Sequence, residues 1–184
     1  MDQSDRARLA EDLRKKNLPW QIGTEHSSGA SLKWFSVLDL ASGIKLGLSW
    51  NANWVRKGPQ SVIEFAKGIS PVFLLPMLEM PRDSLHEHLT AALSSMGLSK
   101  DLINALPIED TIATALESGS EHWVGLGLDW AANSTPSERL QNEVLKLATN
   151  GPTQALRHAA KKLSGKWTRS TTPSTANGEE FPNV

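Results

Sequence analysis

The segment Leu46-Gly47-Leu48-Ser49-Trp50-Asn51-Ala52-Asn53 returns 80 residues later as Leu126-Gly127-Leu128-Asp129-Trp130-Ala131-Ala132-Asn133, identical at six of eight positions. Each copy is followed by a proline that opens an apolar-periodic run. Pro59 precedes Val62, Ile63 and Phe65, and Pro136 precedes Leu140, Val144 and Leu147. Repeat architectures bury their core by stacking similar units, so a recurrence bears on the whole fold. A spacing of 80 residues is two periods of about 40, which fits a HEAT-like stack of helical hairpins. Chance matching is the competing origin, because a chain rich in Leu, Gly and Ala offers many similar windows.

Helical spacing dominates the later part of the chain. Leu85, Leu89, Leu93 and Met96 follow the capping-box pattern Ser84-Leu85-His86-Glu87 and precede Gly97. Ser99 caps a short helix carrying Leu102, Ile103 and Leu106, closed by Pro107. Ile108, Ile112, Ala115 and Leu116 mark the next, up to Ser118-Gly119. Trp123, Leu126, Gly127 and Trp130 sit at i, i+3, i+4 and i+7 of another. Thr135-Pro136-Ser137-Glu138 joins a capping box to Pro at the first helical position and predicts a helix up to Thr149, stopped by Asn150-Gly151. Leu156, Ala159, Ala160 and Leu163 define a last helix, ended by Gly165. Short helices on short loops imply antiparallel hairpins over 83–164.

The first part is ambiguous. Residues 5–16 read as an amphipathic helix with Leu9, Ala10 and Leu13 inward, and 23–31 as a loop. Ile44, Leu46, Leu48 and Trp50 alternate as in a strand, and 41–43 can turn a hairpin from 32–40. Trp34, Val37, Leu38 and Ala41 fit a helix instead. Pro71, Pro76 and Pro81 each remove a backbone donor, so 69–81 reads as a connector or as short helical turns. The fold class expected is therefore mainly α: stacked short antiparallel hairpins in one domain over 1–167. A small β-hairpin at 32–50 is its one extended element, and N-terminal residues 1–68 are where any α+β character would lie. A Ser/Thr/Pro-rich disordered tail is expected over 168–184.

Composition excludes several chemistries. There is no Cys, hence no disulfide, thiolate metal site or Cys nucleophile. The charged opening Met1-Asp2-Gln3-Ser4-Asp5-Arg6 has no apolar secretory run. The apolar stretch 71–80 falls far below the roughly 20 residues of a membrane span. A cytoplasmic location is the expectation. Net charge is −1, but it is segregated. Residues 14–76 hold eight bases against three acids, 77–138 two against ten, and 139–178 seven against one. Such blocks either neutralise one another or present an acidic middle surface to a basic partner. Overall balance near zero disfavours nucleic acid, even though six bases and no acid lie between Val144 and Gly178.

Candidate site residues each carry a plain structural reading beside the functional one. The chain has seven Trp and no Tyr. Trp20, Trp34, Trp50 and Trp130 read as core. Trp54 stands in the polar run 51–58, so it reads as exposed, and beside Arg56 and Lys57 it makes a partner-binding anchor. Trp167 reads as a hinge or docking point of the tail. Glu25, His26 and Ser27 put an acid, a base and a hydroxyl on one loop, the alternative ligand or catalytic site, although adjacency alone rarely assembles a triad. His86 and His88 are two apart on a helix and diverge, where a shared metal needs four. Glu121-His122 is a bland helix-start pair. Asp39, Glu109, Asp110 and Asp129 are carboxylates of unfixed separation. Gly125-Leu126-Gly127 lacks the third glycine of a dinucleotide loop. No metal and no cofactor is expected.

The function expected is a non-enzymatic cytoplasmic protein-interaction module: an adaptor, an inhibitor or an immunity-type protein. Its partner is another protein, of basic character, on the acidic 77–138 surface. An enzyme or small-ligand binder built around Glu25 and His26 is the alternative.

Overall fold

Alternation of two prevails over helical spacing across residues 31–64. In the computed structural model, which describes residues 3–40, 43–65 and 69–171, a helix α1 (Gln3–Lys15) leads into five strands. These are β1 (Gln21–Thr24), β2 (Ser31–Asp39), β3 (Lys45–Ser49), β4 (Trp54–Lys57) and β5 (Val62–Glu64). They pair antiparallel in sequence order. A register shift between Ser36 and Leu38 bends β2. The far ends of the sheet meet where Glu25 bridges Val62 and the His26 N–H donates to the Val62 carbonyl at 2.9 Å, so the sheet curls on itself.

This corrects the expected mainly α stack. The hairpin at 32–50 is present as β2 and β3, but it forms the middle of a five-stranded sheet, and the architecture is mixed. The octapeptide copies do not adopt one structure either: 46–49 is strand and 126–132 is helix. A HEAT-like duplication is thereby excluded as the source of the fold.

Each face of the sheet has its own core. Phe35, Leu46, Leu48 and Trp54 face the helices and join the main cluster with Leu85, Leu89 and Leu93. Leu32, Trp34, Val55 and Val62 fill the inside of the curl. The Trp34 ring lies across two glycines there. A Cβ on Gly47 would overlap the Phe35 carbonyl oxygen and stand 2.8 Å from Trp34 Cε3, and one on Gly23 would overlap the Val62 side chain. Gly47 thus marks a close backbone approach rather than a turn.

The helical part follows its sequence signals more closely. Pro71–Glu79 is a 3-10 helix, capped by Ser70 and interrupted by Pro76. It is followed by α2 (Arg82–Ser95), a 3-10 turn at Lys100–Ala105 capped by Ser99, α3 (Ile108–Glu117) and α4 (Glu121–Ala132). The last two are α5 (Glu138–Asn150) and α6 (Gln154–Thr171). Ser137, not Thr135, caps α5, through the Leu140 N–H. α6 passes through Gly165 and buries Trp167, so residues 168–171 of the expected tail are helical. The remainder, 172–184, lies outside the described residues. No helix among the described residues is long and apolar enough to cross a membrane.

Replacing Gly47 with Ala is expected to destabilise the fold by about 2 kcal/mol or more, because backbone and a fully packed indole must both move. Urea unfolding checks this against Gly119→Ala, where a Cβ meets nothing within 4 Å and only a positive φ of 68° opposes it.

Candidate functional site

The sequence placed a surface anchor at Trp54, Arg56 and Lys57, and β4 does carry all three. Trp54 is nevertheless 1% exposed. It stands opposite Leu48 across the β3–β4 ladder, and its indole N–H donates to the Leu102 carbonyl at 2.7 Å. The expectation of an exposed Trp54 is corrected for a local reason. The polar run before it is a tight turn, with Ala52 at a φ of 58°, and the strand begins as soon as that turn ends. Arg56 shares the face of Trp54, opposite Leu46 and Ile63. It is half-buried, burial holds its guanidinium pKa below the ordinary value, and Nε meets no acceptor among the described residues. Lys57 gives its ammonium to the carbonyls of Gly58 and Pro59 and so holds the β4–β5 turn. The three residues form no single exposed patch.

Glu25, His26 and Ser27 fall in the β1–β2 turn. One carboxylate oxygen of Glu25 accepts four hydrogen bonds. They come from the Ser27 N–H at 3.0 Å and hydroxyl at 2.6 Å, and from the Ser28 N–H at 2.7 Å and hydroxyl at 2.8 Å. The Ser27 hydroxyl bond leads the effects that pull its pKa down to about 2. His26 takes other partners: Nδ1 lies 3.3 Å from the Ser61 hydroxyl, and the ring stands edge-on to Phe73 at 5.6 Å. Acid and hydroxyl meet each other, while the imidazole turns to β5 and the 3-10 helix.

A second polar knot went unread in the sequence. Glu64 Oε1 accepts from the Ser49 hydroxyl at 2.5 Å and from Asn53 Nδ2 at 3.0 Å. Ser49 Oγ in turn accepts from the N–H groups of Asn51 and Asn53. This ties the β3–β4 turn to β5. Spacing of 15 residues between Ser49 and Glu64 gave no local signal. Beside it, Trp20 and Trp50 stand edge-on at 5.0 Å. Lys33 Nζ lies 3.7 Å from the Trp50 ring, and Arg14 bonds the Trp50 carbonyl. Arg14 thereby ties α1 to the β3–β4 turn, while Lys33 of β2 holds the Trp50 ring.

The remaining candidates are dispersed. His88 Nδ1 lies 2.6 Å from the Ser84 carbonyl of its own helix. Asp39 pairs with Lys45, Glu109 accepts from Ser137, and Asp110 pairs with Arg139, which also reaches Glu117 at 3.9 Å. His122 approaches Glu79 at 3.6 Å and meets the Trp123 ring edge-on at 4.5 Å. Among the described residues no three His, Asp or Glu groups could hold a metal ion.

What the fold does assemble is a pair of clefts on either side of α4. One, of about 250 Å³, runs between α4 and the junction of the 3-10 helix with α2. Leu78, Leu126 and Trp130 form its apolar part, and Glu79, Asp83 and Asp129 its acidic rim, beside a single base, Arg82. The other, of about 420 Å³, lies between α4 and α6. Leu128, Ala132 and Leu163 line it, with Lys162, Lys166 and Arg169 along α6 and Asp129 opposite. Spacing of i, i+4 and i+7 sets those three bases in one row on the helix. Charge segregation along the chain is thus partly neutralised between α3 and α5 and partly displayed around α4.

No family model matches this chain, and no curated protein or solved structure matches it.

Two substitutions test these assignments. Trp54→Phe keeps most of the packing but removes the buried hydrogen bond to the Leu102 carbonyl and part of the indole volume, and is expected to cost about 1–3 kcal/mol in urea unfolding. Glu25→Gln is expected to lower stability at neutral pH. A carboxylate whose folded pKa is depressed contributes above its unfolded value, here 4.5, and loses that contribution as pH falls towards about 2. The gap between the parent and Glu25→Gln should therefore narrow steadily below pH 4.5. A gap independent of pH would separate the turn's stability from its charge.

Proposed function

We propose that this chain is a binding module for another protein, in the manner of an adaptor or inhibitor, and that it takes a basic segment on the acidic side of α4. The observation that carries the reading is the cleft rimmed by Glu79, Asp83 and Asp129 over the apolar side chains of Leu78, Leu126 and Trp130. Leu126, partly exposed, supplies apolar contact, the buried Leu78 and Trp130 close the floor from within the core, and like charges on the rim select the sign of what enters. Further support comes from where the reactive groups are spent. One oxygen of the Glu25 carboxylate is occupied by its own turn, and one of Glu64 by Ser49 and Asn53. The loop at Glu25 and His26, the alternative site for an enzyme, gains no added support from this geometry.

The test uses a fluorescein-labelled peptide of alternating Lys and Leu, followed by anisotropy. The parent chain is expected to bind saturably, with affinity falling as salt rises, since exposed charges are screened. Glu79→Lys with Asp83→Lys should weaken binding by about tenfold or more while leaving the circular dichroism spectrum intact. Equal binding by parent and variant would overturn the assignment of this cleft.

A further inference from the structure

We propose that the cleft between α4 and α6 is a second binding site, for an acidic peptide segment of a partner protein that carries one bulky apolar side chain between two carboxylates. The site goes beyond the acidic cleft and does not depend on it. Three bases stand on one wall, and one acid, Asp129, on the other. Ala132 from α4 and Ala159 from α6, backed by the buried Leu128 and Leu163, make the apolar surface between them. The volume of about 420 Å³ is within the range of sites that take small ligands, and ample for a single Leu or Phe side chain.

Geometry narrows the occupant. Lys162 and Lys166 lie four residues apart on α6, hence about 6 Å along the axis, with Arg169 about 4.5 Å further. In an extended segment, side chains two residues apart point the same way and are separated by about 6.6 Å. Carboxylates at positions i and i+2 therefore match Lys162 and Lys166. The side chain at i+1 points the other way, towards Leu128 and Ala132. The pattern is acid, apolar, acid. A nucleic-acid strand fits less well, because its phosphates would meet Asp129 and its bases would find no aromatic ring among the lining residues to stack on.

The experiment measures anisotropy of a labelled peptide containing Glu-Leu-Glu against the full chain. Saturable, salt-sensitive binding is expected. Lys162→Glu with Lys166→Glu should weaken it by about tenfold or more, with an unchanged circular dichroism spectrum. A Glu-Ser-Glu peptide should also bind more weakly. No saturable binding, equal binding by the double variant, or equal binding of Glu-Leu-Glu and Glu-Ser-Glu would each overturn the site. A labelled single-stranded oligonucleotide that binds more tightly than the peptide and competes with it would overturn the choice of ligand. Glu79→Lys with Asp83→Lys should leave this peptide's affinity within about twofold, so the two clefts fail or stand separately.

Discussion

The indole N–H of Trp54, buried against the Leu102 carbonyl, joins the two halves of the molecule. A buried N–H without a partner is costly, so a sheet carrying this residue inward must meet a carbonyl at a fixed place. The 3-10 turn at Lys100–Ala105 presents one. Trp130 performs the matching act from the helical side. Its N–H lies 3.0 Å from the Leu78 carbonyl and 3.2 Å from that of Met80. Those carbonyls are available because a helix end leaves its last acceptors unpaired, and Pro81 cannot donate to them. The proline-punctuated run 71–81 is thus more than a connector. Pro76 removes a donor within the 3-10 helix and Pro81 one just past its end, and that end becomes the socket that positions α4.

The segments flanking each copy explain why one octapeptide folds in two ways. Both hold a glycine where another segment comes close. Gly47 lies on the Phe35 backbone under Trp34, and Gly127 would place a Cβ 3.0 Å from Ala115 and 3.1 Å from Leu116. In both copies the apolar residues suit either period. Leu46 and Leu48 are two apart for a strand, and Leu126 and Trp130 are four apart for a helix. The flanks decide. Ser36 and Phe35 of β2 pair with the first copy, while Ser120 and Glu121 open a helix before the second. Identity over eight residues therefore spoke to local size and packing and not to conformation.

Helix positions were largely legible, because apolar spacing and stop residues act within one segment. α3, α5 and the Ser99 cap fell within a few residues of where spacing put them. The sheet was legible only at its middle. β1, β4 and β5 are four, four and three residues long, too short to show an alternation, and they exist because β2, β3 and β4 in turn offer them an edge to pair with. Trp54 was misplaced for the same reason: its burial is a property of the β3–β4 ladder, while its sequence neighbours are a polar turn. Of the candidate sites, the acidic middle block was visible in composition, but the cleft that displays it is not a sequence property. Leu78, Asp83 and Asp129 come from three elements.

Small residues on α4 then account for the clefts themselves. Gly127 lets α4 approach α3 closely, and a Cβ on Gly125 would make only ordinary contact, 3.9 Å, with Leu156 of α6. Close helix contact along one line leaves the space to either side of it unfilled unless long side chains cover it. On one side the covering groups are Glu79, Asp83 and Asp129, and on the other Lys162, Lys166 and Arg169. Like charges repel rather than close over apolar surface, so each rim keeps an excess of one sign, with Arg82 the single base on the first and Asp129 the single acid on the second. Asp129 borders both spaces. On the acidic side it adds to the rim, and on the basic side it opposes the row on α6. One carboxylate at the shared wall thus sharpens selection in the first cleft and limits anion density in the second, where two carboxylates flanking an apolar group fit better than a continuous polyanion.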